Sequence, residues 1–163
     1  YIDINSFVDW YIVNEIARNN DAIFFSSCYM NVKKGGKLKM GPIWDFDIAF
    51  GNCNYNDNWM EEGFYIKNAA WISRMFDDPE FVKLLKERYE FFYSKKEYIL
   101  NKMSENASML KFSAVENNNI WKTLYTGTWS NYSVMGAYDN EVIYMKEWIS
   151  KRMDWLKKSI DGL

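Results

Sequence analysis

Apolar positions near the start of the chain recur at helical spacing. Phe7, Trp10, Tyr11 and Asn14 share one face, and Val8, Ile12, Glu15 and Ile16 the neighbouring one, so the segment predicts an amphipathic helix. Asp3-Ile4-Asn5-Ser6 offers N-cap side chains before it, and Asn19-Asn20-Asp21 stops it at about Asn19. Cys28 to Val32 then reads as a strand. Lys33-Lys34-Gly35-Gly36-Lys37 reads as a hairpin turn, because Gly-Gly supplies the positive φ values such turns need. Leu38 to Ile43 returns as the partner strand and delivers Asp45 at its end.

The second half is helical in pattern. Gly51 to Gly63 is polar, rich in Asn and Asp, and reads as a loop; Trp71 to Phe76 is a short helical turn. Asp78-Pro79-Glu80 is a strong helix start, with a capping acid, Pro at the first position and an acid in the first turn. That helix runs on through Phe81, Leu84, Leu85, Tyr89 and Phe92. A further helix is predicted over Lys95 to Ala114, and Asn117 to Leu124 continues helical after a break. Thr126 to Gly136 is an aromatic loop. The last helix runs from about Asp139 to Ile160, with Val142, Met145, Trp148, Ile149, Met153, Leu156 and Ile160 on one face. With no repeat or linker, residues 1–163 read as one unit of the α+β class, predominantly α, carrying a small β-hairpin.

Composition narrows the chemistry. The chain has 163 residues with 48% apolar and 19% aromatic content, enough to bury roughly 70% of its unfolded surface in one core. Net charge is -2, with no basic excess to recruit nucleic acid. No segment approaches the ~20 apolar residues of a membrane span. Histidine is absent, which removes imidazole bases, His-based triads and His-ligated zinc. Carboxylates must then carry any acid–base or metal work, with a hard cation such as magnesium, manganese or calcium as the matching ion. Cys28 and Cys53 are too few for a disulfide framework and read first as two free thiols, a single bridge being the alternative. The chain opens at Tyr1 without Met and reads as a piece of a longer protein.

The densest candidate chemistry lies in Gly41-Pro42-Ile43-Trp44-Asp45-Phe46-Asp47-Ile48-Ala49-Phe50-Gly51-Asn52. Two carboxylates one residue apart are costly at a strand end unless they meet a cation. On an extended backbone Asp45 and Asp47 would point to opposite faces. Asp45 then reads as a metal ligand and Asp47 as a second ligand or its anchor; an Asp-rich turn bonded to its own backbone is an equal alternative. Asp21 reads as a base or hydroxyl-orienting acid, against the simpler role of a helix stop, which spacing alone favours. An acid, a short hairpin and an acid–aromatic pair is also the layout of the catalytic half of a kinase-like phosphotransferase. Lys33, Lys34 and Lys37 lack a phosphate-cradling pattern and read as a solvated hairpin tip. Trp121, Tyr125, Trp129, Tyr132 and Tyr138 suit stacking on sugars or peptides but read first as core. Trp148, Arg152 and Trp155 read as core with a buried ion pair.

The run from Asn20-Asp21 through Lys37-Leu38-Lys39-Met40-Gly41-Pro42-Ile43-Trp44-Asp45-Phe46-Asp47, with Phe50-Gly51-Asn52, resembles the CotH kinase family, named for spore coat protein H. That family shows an Asn-x-Asp segment, a tyrosine-bearing strand, a turn, and Pro-x-Trp-Asp-x-Asp followed by Phe-Gly. Trp148-Ile149-Ser150-Lys151-Arg152-Met153-Asp154-Trp155-Leu156 resembles its closing Trp-x-x-x-Arg-x-x-Trp helix. The resemblance implies the C-terminal lobe of an atypical protein-kinase-like fold. It makes Asp21 the catalytic acid of the loop and Asp45 the metal-binding acid, with Asp47 beside it. Ser26 stands where the kinase pattern has a metal-ligating Asn. The implied activity is magnesium- or manganese-dependent transfer of the ATP γ-phosphate to Ser or Thr of a protein substrate. No Gly-rich loop or nucleotide-binding lysine strand is recognisable: either those parts lie upstream or this branch has lost catalysis, and the chain alone is expected to be inactive. Relatives in secreted bacterial proteins, some in polysaccharide-degrading assemblies, imply an extracellular, cell-surface or spore-associated setting. The competing class is a non-catalytic scaffolding or carbohydrate-associated module. Oligomeric state is left open.

Overall fold

Residues 1–163 are described by a computed structural model. Helix α1 spans Ile4–Ala17. Its N-terminus is fixed by Asp3, which accepts from the Ser6 N–H at 3.2 Å. Phe7, Val8, Trp10, Tyr11, Ile12, Asn14, Glu15, Ile16 and Ala17 are all buried. A helix enclosed nearly all round belongs at the centre of the fold and not on its surface. Helix α3, Pro79–Ser94, and helix α6, Tyr138–Asp161, pack on it and on each other. As the sequence predicts, Asp78 caps α3, accepting from the Glu80 N–H at 2.9 Å with Pro79 in the first position. The apolar face of α6 supplies Trp148, Ile149, Met153, Leu156 and Ile160 to the core.

The predominantly α architecture with one small antiparallel hairpin is as the sequence predicts, but the hairpin is shorter. Strand β1, Met30–Asn31, pairs with β2, Lys39–Met40. Pro42 has no N–H to donate, which limits the ladder beyond Gly41. The turn closes through Gly36 N–H to the Lys33 carbonyl at 2.8 Å, and its lysines are exposed. The remaining elements are a 3₁₀ turn at Ile66–Asn68, α2 at Ala70–Met75, α4 at Lys96–Trp121 and α5 at Thr123–Thr126.

Four further expectations change. The first helix stops at Ala17, with Arg18 left-handed at φ 47°. Helix α4 runs without a break through 114–117, where no Gly or Pro interrupts it; the break falls at Lys122, left-handed at φ 59°. Trp121, Tyr125, Trp129 and Tyr132 are exposed, not core. Trp155 is half-buried, its ring edge on Phe64 with centroids 5.1 Å apart. Both cysteines are free, Cys53 buried and Cys28 half-buried. No helix is long and apolar enough to cross a membrane.

Candidate functional site

The site is assembled where α1 ends. Past the left-handed Arg18, the chain turns through Asn19 and Asn20, both buried, before Asp21 emerges half-buried. The Asn19 side chain does three things. Its Oδ1 accepts from the Asp21 N–H at 3.3 Å. Its Nδ2 donates to the Asp45 carbonyl at 3.2 Å and to Asn14 Oδ1 at 3.2 Å. Asn14 is held in turn by the Trp10 carbonyl at 2.9 Å. One buried amide thus joins the backbones of the two acids, and α1 fixes that amide.

The segment after Asp45 is sewn to the same helix end. Asn20 N–H donates to the Ile48 carbonyl at 3.3 Å, and Phe50 N–H to the Ala17 carbonyl at 2.8 Å. Asp45 has φ 64°, a left-handed backbone that Asp tolerates better than most residues. The extended geometry that would send Asp45 and Asp47 to opposite faces therefore does not hold. Both carboxylates are exposed.

Two adjacent hydroxyls link the acids at side-chain level. Ser26 Oγ donates to Asp21 Oδ2 at 2.8 Å. Ser27 Oγ donates to Asp45 Oδ2 at 2.8 Å. Asp21 and Asp45 therefore flank one dipeptide, and each keeps its Oδ1 free of protein donors. Ser26, at the expected metal-ligand position, spends its proton on Asp21. Asp47 lies apart from this pair, in the wall of a cavity between the 46–52 segment, α4 and α6. Beside Asp21, burial pushes the Cys28 thiol up, and the Asp21 charge adds to the effect.

A second layer fixes the loop from Gly51 to Gly63. Glu15 and Arg152 form a fully buried ion pair at 2.7 Å. Glu15 also accepts from the N–H groups of Tyr65 at 2.8 Å and Lys67 at 2.9 Å. Arg152 Nη1 donates to the carbonyls of Glu61 at 2.8 Å and Gly63 at 2.7 Å. Arg18 reaches the carbonyls of Met60, Glu62 and Gly63. Trp148 Nε1 donates to the Trp59 carbonyl at 2.9 Å, and its indole lies against Gly51, where no Cβ fits. The Trp-x-x-x-Arg-x-x-Trp pattern of α6 therefore acts as a clamp on this loop.

The donor set is all oxygen. No three acidic or thiol side chains converge on one point, so a caged calcium site is not built. Two carboxylates with flanking hydroxyls instead suit magnesium or manganese, which keep several waters and take phosphate oxygens as the remaining ligands. Sequence reasoning took Asn19-Asn20 as a helix stop and missed the clamping role of Asn19. The signal available was the asparagine pair directly after an apolar helix, a place where such side chains bond backbone.

The family model described as CotH kinase protein matches residues 1–156. No curated protein and no solved structure matches the chain.

Proposed function

We propose, since this chain belongs to the CotH kinase family, that it carries the acid half of a kinase-like site that transfers the ATP γ-phosphoryl group to a Ser or Thr hydroxyl of a protein. The observation that carries the proposal is the Asn19 amide bridging the backbones of Asp21 and Asp45. Phosphoryl transfer is mostly positioning and electrostatics, and a buried amide in the turn just past the central helix ties the backbones of both acids together.

In this assignment Asp21 Oδ1 accepts the proton of the acceptor hydroxyl, while Ser26 holds the other carboxylate oxygen. Asp45 Oδ1 would hold the divalent cation, with Ser27 orienting the carboxylate. When bound, metal–ATP would supply the phosphoryl group and leave as metal–ADP, the cation offsetting the phosphate charge. Asp47 faces the neighbouring cavity and serves as an outer anchor or second ligand. The one strand lysine, Lys39 of β2, is paired with Asp3 at 3.1 Å, and the Gly35-Gly36 turn lacks a phosphate-cradling pattern, so neither is assigned as a nucleotide clamp. Calorimetry tests the metal role. Manganese should bind weakly, and Asp45→Asn should remove the heat. Equal binding by both proteins would put the ion elsewhere.

We infer a second function class from a different observation. Trp129 is 83% exposed and stacks on Tyr55 at 5.9 Å. Trp59 and Tyr132 stack at 5.1 Å within 7° of coplanar. Exposed, ordered aromatic faces suit pyranose rings, which favours a carbohydrate-associated module. Retention on insoluble glycans, lost in Trp129→Ala, would support it; flow-through on every glycan would end it.

A further inference from the structure

A cavity of about 460 Å³ lies not at Asp21 or Asp45 but beside the segment that follows Asp45. One wall is the segment Phe46–Phe50, which carries Asp45 at its leading end and is tied to α1 by the Asn20 and Phe50 backbone bonds. The other walls are Met103, Ala107 and Leu110 of α4 and Val142 and Met145 of α6. Its volume falls in the range of ligand sites, and its lining is mainly apolar with a few polar groups. Two of those groups are the carboxylates Asp47 and Glu141, and no Lys or Arg lines the space. Glu141 is partly engaged by the Met135 N–H at 2.7 Å; Asp47 has no protein cation at salt-bridge distance.

We propose that this cavity receives a bulky apolar side chain of the acceptor polypeptide, an inference that rests on the phosphotransfer function above. The cavity and Asp45 share one short segment of backbone, so an occupant is held at a fixed offset from the transfer site. The two carboxylates disfavour acidic flanking residues in an occupant. A neutral or cationic segment with one large apolar residue near its Ser or Thr meets both the shape and the charge of the space.

The test uses methyl NMR of the chain labelled at methionine, with acetylated peptides holding one Ser and, within three residues of it, either Phe or Asp. No nucleotide is added. Phe peptides should shift the Met103 and Met145 methyls. The Asp peptides should bind about tenfold more weakly or worse, the scale of one buried aromatic side chain. Ala107→Trp, which fills the cavity from α4, should abolish the shifts while the core Met153 methyl keeps its native position. Should that variant not fold, Glu141→Gln takes its place and should raise the affinity for Asp peptides towards that for Phe peptides. Silent Met103 and Met145 methyls, or equal affinity for the two peptides, would overturn the proposal. Phe-peptide binding without phosphotransfer in the full-length protein would keep the pocket and end the kinase assignment. Transfer to Phe-free peptides at unchanged kcat/KM would do the reverse.

Discussion

Asn19 donates its side-chain amide to the Asp45 carbonyl at 3.2 Å, and the same side chain accepts the Asp21 N–H at 3.3 Å. The two candidate acids are therefore set by one buried residue. Asn19→Asp keeps the shape and the acceptor but loses both donors and buries a charge. It should cost about 2 kcal/mol or more in urea unfolding. A loss below about 0.5 kcal/mol would show that the amide is not holding the segment.

The Glu15–Arg152 pair is enclosed on all sides, and its guanidinium fork also satisfies the Glu61 and Gly63 carbonyls. Arg152→Lys preserves the charge but not the fork. Glu15→Gln leaves a buried guanidinium without its counter-charge, a class of change that costs about 3–5 kcal/mol. Both variants should also expose the 59–63 loop to limited proteolysis. Wild-type protease resistance in Arg152→Lys would contradict the clamp.

Gly51 has φ 79°, and a Cβ there would overlap the Trp148 indole. Gly51→Ala should destabilise the fold by about 1–3 kcal/mol through strain and overpacking. It should also red-shift Trp148 emission as the indole leaves the Trp59 carbonyl. Unchanged stability and emission would mean that the loop yields freely.

How far the sequence reached can be seen by comparing two helices. Helix α6 was legible because its apolar stripe repeats at 3.6 residues: from Trp148 to Ile160 it is buried as read, while Val142 and Met145 at its start stay half-buried. The aromatics beyond α4 were misread: Trp129 and Tyr132 look like core by type, but both are exposed and stack only on the rings of Tyr55 and Trp59. Asp21 and Asp45 were legible as candidates from residue type and order. Their joint fixation was not, because it depends on one side-chain amide spanning 26 positions and on serine rotamers, which no local pattern encodes.

Burial raises the Tyr89 hydroxyl well above its ordinary value, and that hydroxyl donates to the Met153 carbonyl at 2.9 Å. The folded state keeps this proton where the unfolded chain loses it. The contribution to stability is therefore complete below the unfolded value of about 10 and is lost as pH rises past it. Circular dichroism should show alkaline unfolding above about pH 10. Tyr89→Phe should lose about 1 kcal/mol at pH 7 yet unfold at a higher pH relative to its own baseline. Identical alkaline midpoints would contradict the assignment.

The most direct test of the Asp21–Asp45 site is phosphotransfer by the full-length protein, using radiolabelled ATP, magnesium or manganese and a Ser-rich acceptor. Asn is close in shape to Asp and tolerates the left-handed backbone of residue 45, so Asp21→Asn and Asp45→Asn should both fold as wild type. Each should abolish transfer with an unchanged melting temperature. Undiminished transfer by Asp45→Asn, or none by the intact protein with any divalent metal, would contradict the account.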